Sequence, residues 1–491
     1  MPNKRLLAGA AALLMLLPLA SCGQKETPDQ TSGSDTESAE TTATSAPLSF
    51  EGADFGGREF HILLTANGPD TVNDFETSEM IGETLSNAVE KRKAQVEEAV
   101  GVSLITKTIF KYGNHGYNEL YAGYTAGDTD YDAAVVAAYD VVPLAYTNAL
   151  YNLYDLDKLD VSNPWWDARA TEELTVMGQM YFTTGDITFW DDMMQYCVAF
   201  NKEMWKNYNR NDIFGYSPYE LVERGEWTYE AMATLAKGVT EDIDNSGTYD
   251  MSDRYGILTW DDTVYGVLNS AGQKVITRDE NGRLALSLTE GNETAIDALT
   301  KYTDICFGGD AVNYQRFSGG ENDMFIEDRA LFFLTRLSVL SNYRDKETDY
   351  GILPFPKYSA EQDRYYTTPS PYHMNFVCVP SVCEDPDMSA AVLEALGYYG
   401  RETVTPAYYE ATLTGQYFRD EESEKMLSLL AESRCYDIGF YVQPDNINKE
   451  LIYLFRPGNY TFASTFASHY TAASKRIEQI NLMFEQIAAN K

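Results

Sequence analysis

Residues Asp242 to Asp253 read DIDNSGTYDMSD. Counted from Asp242, oxygen-bearing side chains fall at positions 1, 3, 5, 9 and 12, the carbonyl of Thr248 at 7 and Gly247 at 6. A calcium ion gathers about six to eight oxygens, and this spacing lets one loop supply them if the sixth residue turns sharply. Asp242, Asp244, Ser246 and Asp253 would bind through side chains, Thr248 through its carbonyl, and Asp250 directly or through a water. Asp253 stands where such loops end in glutamate, and its shorter reach weakens bidentate binding. A calcium sensor works by changing the angle between two helices. Here MATLAKGVT before the loop reads as a helix, but YGILTW after it reads as a strand. The expected role of Ca2+ is therefore a structural clamp, with an acidic turn that holds no metal as the alternative.

Other chemistry is sparse. The chain has no HExxH, GxSxG or GxxxxGK[ST] motif, and its histidines, His61, His115, His373 and His469, are scattered, so no nucleophile–base pair stands out. Cys197, Cys306, Cys378, Cys383 and Cys435 show no CxxC spacing and sit in runs such as YCVAF and NFVCVP, as small buried hydrophobes do. With 75 acidic against 37 basic residues the net charge is −38, which argues against nucleic acid or an anionic lipid surface as partner.

Lys4 and Arg5 precede an apolar run from Leu6 to Ala20, which closes with Ser21-Cys22. The run is too short for a comfortable bilayer span of about 20 residues. It resembles a bacterial lipoprotein signal: residues 1–21 are removed and Cys22 is lipidated. Residues 22–50, rich in Ser, Thr, Asp and Glu, then form a disordered tether.

Beyond the tether, short apolar runs alternate with amphipathic stretches. EFHILLT (59–65), SLITKTIF (103–110) and DAAVVAAY (132–139) read as strands, and Thr84 to Val100 as a helix. QYCVAFN, RYGILTW, RALFFLT, DYGILPFP and NFVCVPS continue the series, and the chain ends in a helix with Ile477, Ile480, Phe484 and Ile487 on one face. This is the rhythm of an α/β protein with open sheets, where ligands bind at the carboxyl ends of strands.

TSEMIGETLSNAVEKRKAQVEEAVGV, LYNLYDLDKLD, PWWD, MYFTTGDITFW with CVAFNKEMW, the calcium loop running into RYGILTW, and DYGILPFPKY occur in an order that resembles the solute-binding lipoproteins of bacterial carbohydrate ABC importers, the maltose-binding-like family 1. The resemblance implies a type II periplasmic-binding-protein-like fold, two α/β lobes around a ligand cleft and joined by crossing segments. Lobe 1 would take 51–185 and 335–410, and lobe 2 would take 186–334 and 411–491. Crossings are expected near Thr183–Asp186, near Leu334–Arg336 and within 405–430. It also implies a monomer tethered by lipid to the extracellular face of the cell membrane, which captures a sugar and delivers it to ABC permease subunits.

Sugars are held by aromatic faces and by carboxylates or amides that accept hydroxyl hydrogens. On the implied fold the candidates are Asn67, Tyr139, Asp140, Asp186, Trp190, Asp192, Trp260, Asp261, Arg336 and Tyr372. Trp190 and Trp260 stand out because a tryptophan beside two acids at a strand end is awkward to bury. An aspartate after a strand can equally cap a helix, and Asp191 and Asp262 are given that role as readily as binding. Arg336 falls where the family tends to place an aromatic. Two other functions share these features: a binder of peptide or another solute on the same frame, and a lipid-anchored glycoside-active enzyme using carboxylates such as Asp191 and Asp192.

Overall fold

The computed structural model describes residues 48–490 except 70–72, 78–80, 315–320, 344–346 and 412–419. The expected signal peptide, Cys22 and the tether as far as residue 47 lie outside the described residues. The packed unit begins at Leu48. Phe50, which the tether expectation included, is instead buried with its ring 5.8 Å from that of Tyr398. No helix among the described residues is long and apolar enough to cross a membrane.

Among the described residues, eleven strands make two main sheets and a small hairpin. The first strands are β1 (Arg58–Ala66), β2 (Val102–Phe110) and β3 (Ala133–Ala137), separated by α1 (Gly82–Val100) and α2 (His115–Ala126). They are parallel, with Ala66 opposite Phe110 and Ile62 opposite Ala133. β3 is AAVVA, buried along its whole length because both faces of the sheet are covered. β2, with Lys107 and Thr108 facing out, is the edge strand. The apolar run read as one strand over 132–139 bends into α3 (Ala138–Tyr146) at Ala138, so Tyr139 and Asp140 lie in the first turn of a helix.

β4 (Tyr196–Asn201), β5 (Tyr255–Thr259), β8 (Ala311–Asn313), β9 (Ala330–Arg336) and β10 (Tyr350–Leu353) form the second sheet in the order β10-β4-β9-β5-β8. β6 (Ile276–Arg278) and β7 (Leu284–Leu286) make the hairpin, and β11 (Asn375–Cys378) returns to the first sheet, antiparallel to β3. All five cysteines after Cys22 are free and buried.

The chain first passes between sheets after Thr183, which bridges Val377 of the first sheet, and before β4. Two glycines let it through. A Cβ on Gly185 would collide with the carbonyl oxygen of Trp165, and one on Gly400, in a π-helical turn, with that of Asp186. The return does not occur near Leu334–Arg336 as expected. β9 and β10 both belong to the second sheet, and the chain comes back between Thr367 and Met374, where Thr368 accepts from the Tyr196 N–H at 3.0 Å and Ser370 donates to Met194 at 2.7 Å. Residues 350–353, grouped with the first lobe from the sequence, thus pair with β4 in the second sheet. The β-hydrogen bonds to β4 decide this, and an apolar run alone cannot reveal its partner. The helix Thr405–Ala411 packs on α1, and the helix Glu421–Glu432 on β10.

Candidate functional site

Where the two sheets point their carboxyl ends at each other, a cleft collects side chains from separate strands. From the first sheet come Asn67, just after β1, and Tyr139, just after β3. Tyr372 and His373 precede β11. Asn67 donates to the Tyr372 carbonyl at 2.9 Å, and the Tyr139 and Tyr372 rings meet edge to face at 6.2 Å. From the second sheet come Trp260 and Asp262 after β5, Tyr314 after β8 and Arg336 at the end of β9. Trp260 and Tyr314 are parallel, with centroids 6.3 Å apart, and the Arg336 guanidinium lies 5.1 Å from the Trp260 ring. His373 joins the two sides: its ring is 5.0 Å from Tyr372 and 6.4 Å from Trp260. Trp260 is only 8% exposed, and its Nε1–H has no hydrogen-bond partner among the described residues.

The electrostatics follow from enclosure. Burial pushes the Asp262 carboxyl up to about 6, against the pull of Arg336. Burial, then the neighbouring Asp262, raises the Tyr139 phenol. Burial and the Arg336 charge drive His373 well below its usual value, so it is neutral at pH 7. The cleft thus offers aromatic faces, an amide, a carboxyl, a neutral imidazole and one guanidinium.

Five of the sequence candidates meet here: Asn67, Tyr139, Trp260, Arg336 and Tyr372. The others sit elsewhere. Asp140 accepts from Gly116 N at 3.0 Å and caps α2. Asp261 is fully buried, paired with Arg456 and accepting from Asn313 Nδ2 at 2.7 Å. Trp190 is buried among Ile81, Leu85 and Val404, filling the space between α1 and the 404–408 segment. Asp186 accepts from Thr405 Oγ1 at 2.7 Å, and Asp192 from Tyr409 at 3.0 Å and from Arg434. Asp186, Asp191, Asp192, Arg401 and Arg434 line a separate cavity of about 660 Å³ beside the first crossing, to which no cleft residue contributes.

Sequence reasoning missed Tyr314 and His373 and gave Asp262 no preference for binding. Asp262 occupies the N-cap position of the helix Thr263–Ser270 but makes no cap hydrogen bond, which frees its carboxyl for the cleft. The usable signal was the pattern itself: β5 and β8 are each followed by an aromatic residue, Trp260 and Tyr314, and β9 ends on the charged Arg336.

The acidic loop folds as a closed turn. An antiparallel bridge between Glu241 and Arg254 shuts its base, and Asn245 and Gly247 take φ of 57° and 79°. Backbone N–H groups orient the acids: Ser246 and Gly247 donate to Asp242 at 3.1 and 2.8 Å, Ser246 to Asp244 at 2.9 Å, and Ile243 and Asp250 to Asp253 at 3.0 and 2.9 Å. Carboxylate oxygens of Asp242, Asp244 and Asp253 lie within 4.8 Å of one another. That is no wider than the diameter of a calcium shell, twice the roughly 2.4 Å Ca–O distance. Ser246 Oγ and the Thr248 carbonyl, 2.9 Å apart, adjoin them. Asp250 instead accepts from Ser252 N at 2.7 Å, outside that trio. The donor set fits a hard cation, and β5, not a second helix, follows the loop.

Burial raises four carboxyls, Asp140, Asp186, Asp262 and Asp437, to about 6. A raised acid takes up its proton in the folded chain before the unfolded one, so stability grows as pH falls from 7 towards 5. The gain is complete below the unfolded carboxylate range near 4. Melts in chelator are expected to give a higher Tm at pH 5.5 than at 7.5. The reverse order would mean that these carboxyls are hydrated.

This arrangement is the two-sheet α/β fold of ABC-transporter solute-binding proteins, with the cleft at the facing strand ends. No family model matches the sequence, and no curated protein matches it. Among solved structures, a cyclo/maltodextrin-binding protein complexed with maltotetraose is 12% identical with a TM-score of 0.56, covering 86% of this chain and 97% of that one. The maltose-binding MalE of Listeria monocytogenes in complex with maltose is 16% identical with a TM-score of 0.53, covering 86% and 97%. A transporter-associated binding protein of B. animalis subsp. lactis in complex with beta-1,6-galactobiose is 13% identical with a TM-score of 0.53, covering 88% and 98%. These likenesses are of fold.

Proposed function

We propose that this chain captures a sugar or oligosaccharide for an ABC importer, binding without turnover. The observation that carries the reading is the convergence of Asn67, Tyr139 and Tyr372 from one sheet with Trp260, Asp262 and Arg336 from the other. A sugar offers apolar C–H faces and a girdle of hydroxyls, and this cleft offers aromatic rings and polar groups from both sides. A ligand touching both sides stabilises the closed arrangement, so binding drives closure. The sheets act as the cores of two lobes hinged at 183–188 and 367–374. Carboxylates Asp191 and Asp192, which an enzyme reading needs, are committed to Arg434. Cys22 carries the lipid that holds the monomer at the extracellular membrane face, where permease subunits receive the closed complex.

The test is a thermal-shift screen of the purified protein in calcium against oligosaccharides, monosaccharides and short peptides, followed by small-angle scattering on any hit. A shift with one glycan family and a smaller radius of gyration is expected. A shift with peptides alone would overturn the carbohydrate reading, and release of hydrolysed product would restore the enzyme.

Calcium acts as a structural staple at Asp242, Asp244, Ser246, Thr248 and Asp253. Because it binds the folded loop, millimolar Ca2+ is expected to raise Tm relative to chelator, by up to about 4 kcal/mol of stabilisation at 1,000 times Kd. Identical melts would remove the metal from this loop.

A further inference from the structure

Arg336, partly buried at the end of β9, is partnered unlike the enclosed arginines among the described residues. Arg92 donates to the Ile187 and Asp74 carbonyls, Arg210 to those of Leu235 and Lys237, and Arg434 is ringed by carboxylates. Each has a partner for its charge or its terminal amino groups. Arg336 donates only its Nε–H, to Ser338 Oγ at 2.8 Å. Neither of its terminal amino groups makes a hydrogen bond or ion pair with a described residue, though the guanidinium lies 5.1 Å from the Trp260 ring, inside the cleft. Asp262 acts on it from beyond ion-pair distance. A partly desolvated charge short of partners among the described residues is costly, and an anion entering the cleft would supply the counter-charge. The chain is strongly acidic overall, so a cationic fork at this place does not reflect composition.

A guanidinium whose two amino groups have no partner among the described residues presents parallel N–H donors that match the two oxygens of a carboxylate. The surroundings define the rest of the partner. The indole of Trp260 and the rings of Tyr314, Tyr139 and Tyr372 suit the C–H faces of a pyranose. Asp262 and Asn67 suit hydroxyls, and neutral His373 adds no second positive charge. We propose that the solute is an acidic sugar, a uronic acid or an oligosaccharide containing one, whose carboxylate is held by Arg336 while its ring lies among Trp260, Tyr314 and Tyr139. This rests on the carbohydrate reading above and narrows its substrate class.

The test compares three ligands of one linkage and length by titration calorimetry on the purified calcium-loaded protein. They are oligogalacturonate, its methyl ester, which masks the carboxylate and keeps the sugar, and the neutral galactose oligomer. A parallel set built on glucuronate covers the other common stereochemistry. The expected result is that the free uronate of one set binds ~100-fold or more tightly than its ester and its neutral counterpart. Arg336→Gln should abolish that preference, and Arg336→Lys, which keeps the charge and loses the fork, should recover part of it. The ligand comparison needs no variant, so it stands even if Arg336→Gln fails to fold. Equal or tighter binding of the ester or the neutral oligomer overturns the acidic assignment and leaves the carbohydrate reading in place. No binding by any member of either set, with a thermal shift from peptides, overturns both.

Discussion

Replacing Trp260 with alanine is expected to weaken binding of the proposed sugar ligand by about 30- to 1,000-fold, the 2–4 kcal/mol that a buried aromatic anchor contributes at the centre of an interface. Trp260 touches more of the cleft than any other candidate: Tyr196 at 6.5 Å, Tyr314 at 6.3 Å, His373 at 6.4 Å and Arg336 at 5.1 Å. Arg336 now covers one face of the indole. A ligand carboxylate would draw on the same guanidinium, so the indole supports both the sugar and the arginine that holds it. Because Trp260 is nearly buried, alanine also opens a cavity and destabilises the second sheet. Trp260→Phe separates the effects. It keeps most of the packing and a stacking face but loses the Nε1–H, which has no hydrogen-bond partner among the described residues. Affinity falling by about tenfold in the phenylalanine variant would assign that N–H to the ligand. Affinity unchanged in both variants, measured by calorimetry, would remove Trp260 from the site.

Eight of the eleven strands among the described residues were legible as apolar runs, clearest in β3, β4 and β9, which are buried along nearly their whole length, whereas β6, β7 and β8, of three residues each, are too short to announce themselves. Periodicity and composition suffice for that. What they cannot carry is pairing. β10 reads like β11, and only register with Asn201 to Val198 shows that it belongs to the second sheet. The turn at Ala138 was hidden because AAVVAAY stays apolar through the bend, and α3 starts without a side-chain cap to announce it.

At the site, the sequence identified residue types after strands and could not say where each side chain turns. Asp140 and Asp262 both follow a strand and begin a helix. Asp140 is spent on the N-terminus of α2, a neighbour brought by β1 and β2, whereas Asp262 makes no cap bond and faces the cleft. Trp190 and Trp260 both precede two aspartates. The crossing at Gly185 carries Trp190 into the packing around α1, while β5 delivers Trp260 between the sheets. The acidic turn was legible in outline because its geometry is local: Asp242, Asp244 and Asp253 come together within twelve consecutive residues, while Asp250 lies outside that trio.

Arg434→Met is expected to be the most damaging single substitution away from the hydrophobic core, costing about 3–5 kcal/mol. Arg434 and its partners are as enclosed as core residues, with side chains 5% exposed for Arg434, 5% for Asp167 and 4% for Asp191. Its Nη1 lies 2.7 Å from Asp191 and 3.2 Å from Asp167, and its Nη2 pairs with Asp192. Burial works against its charge, but Asp191 and Asp192 hold it firmly protonated, while burial and the neighbouring acids push Asp191 up. Methionine fills similar volume, so packing loss is small, and what remains is carboxylates facing one another without a cation. The position matters for function because Asp191 and Asp192 follow the first crossing and Arg434 bridges Thr367 beside the return. Losing the clamp should therefore loosen the hinge as well as the fold, lowering Tm and shifting the unliganded scattering profile. Adding Asp191→Asn to Arg434→Met should recover at least about 1 kcal/mol, since it removes one of the stranded charges. A single variant that melts within 1 kcal/mol of the parent, or a double variant no better than the single, would show that water reaches the cluster through the adjoining cavity and that the clamp contributes little.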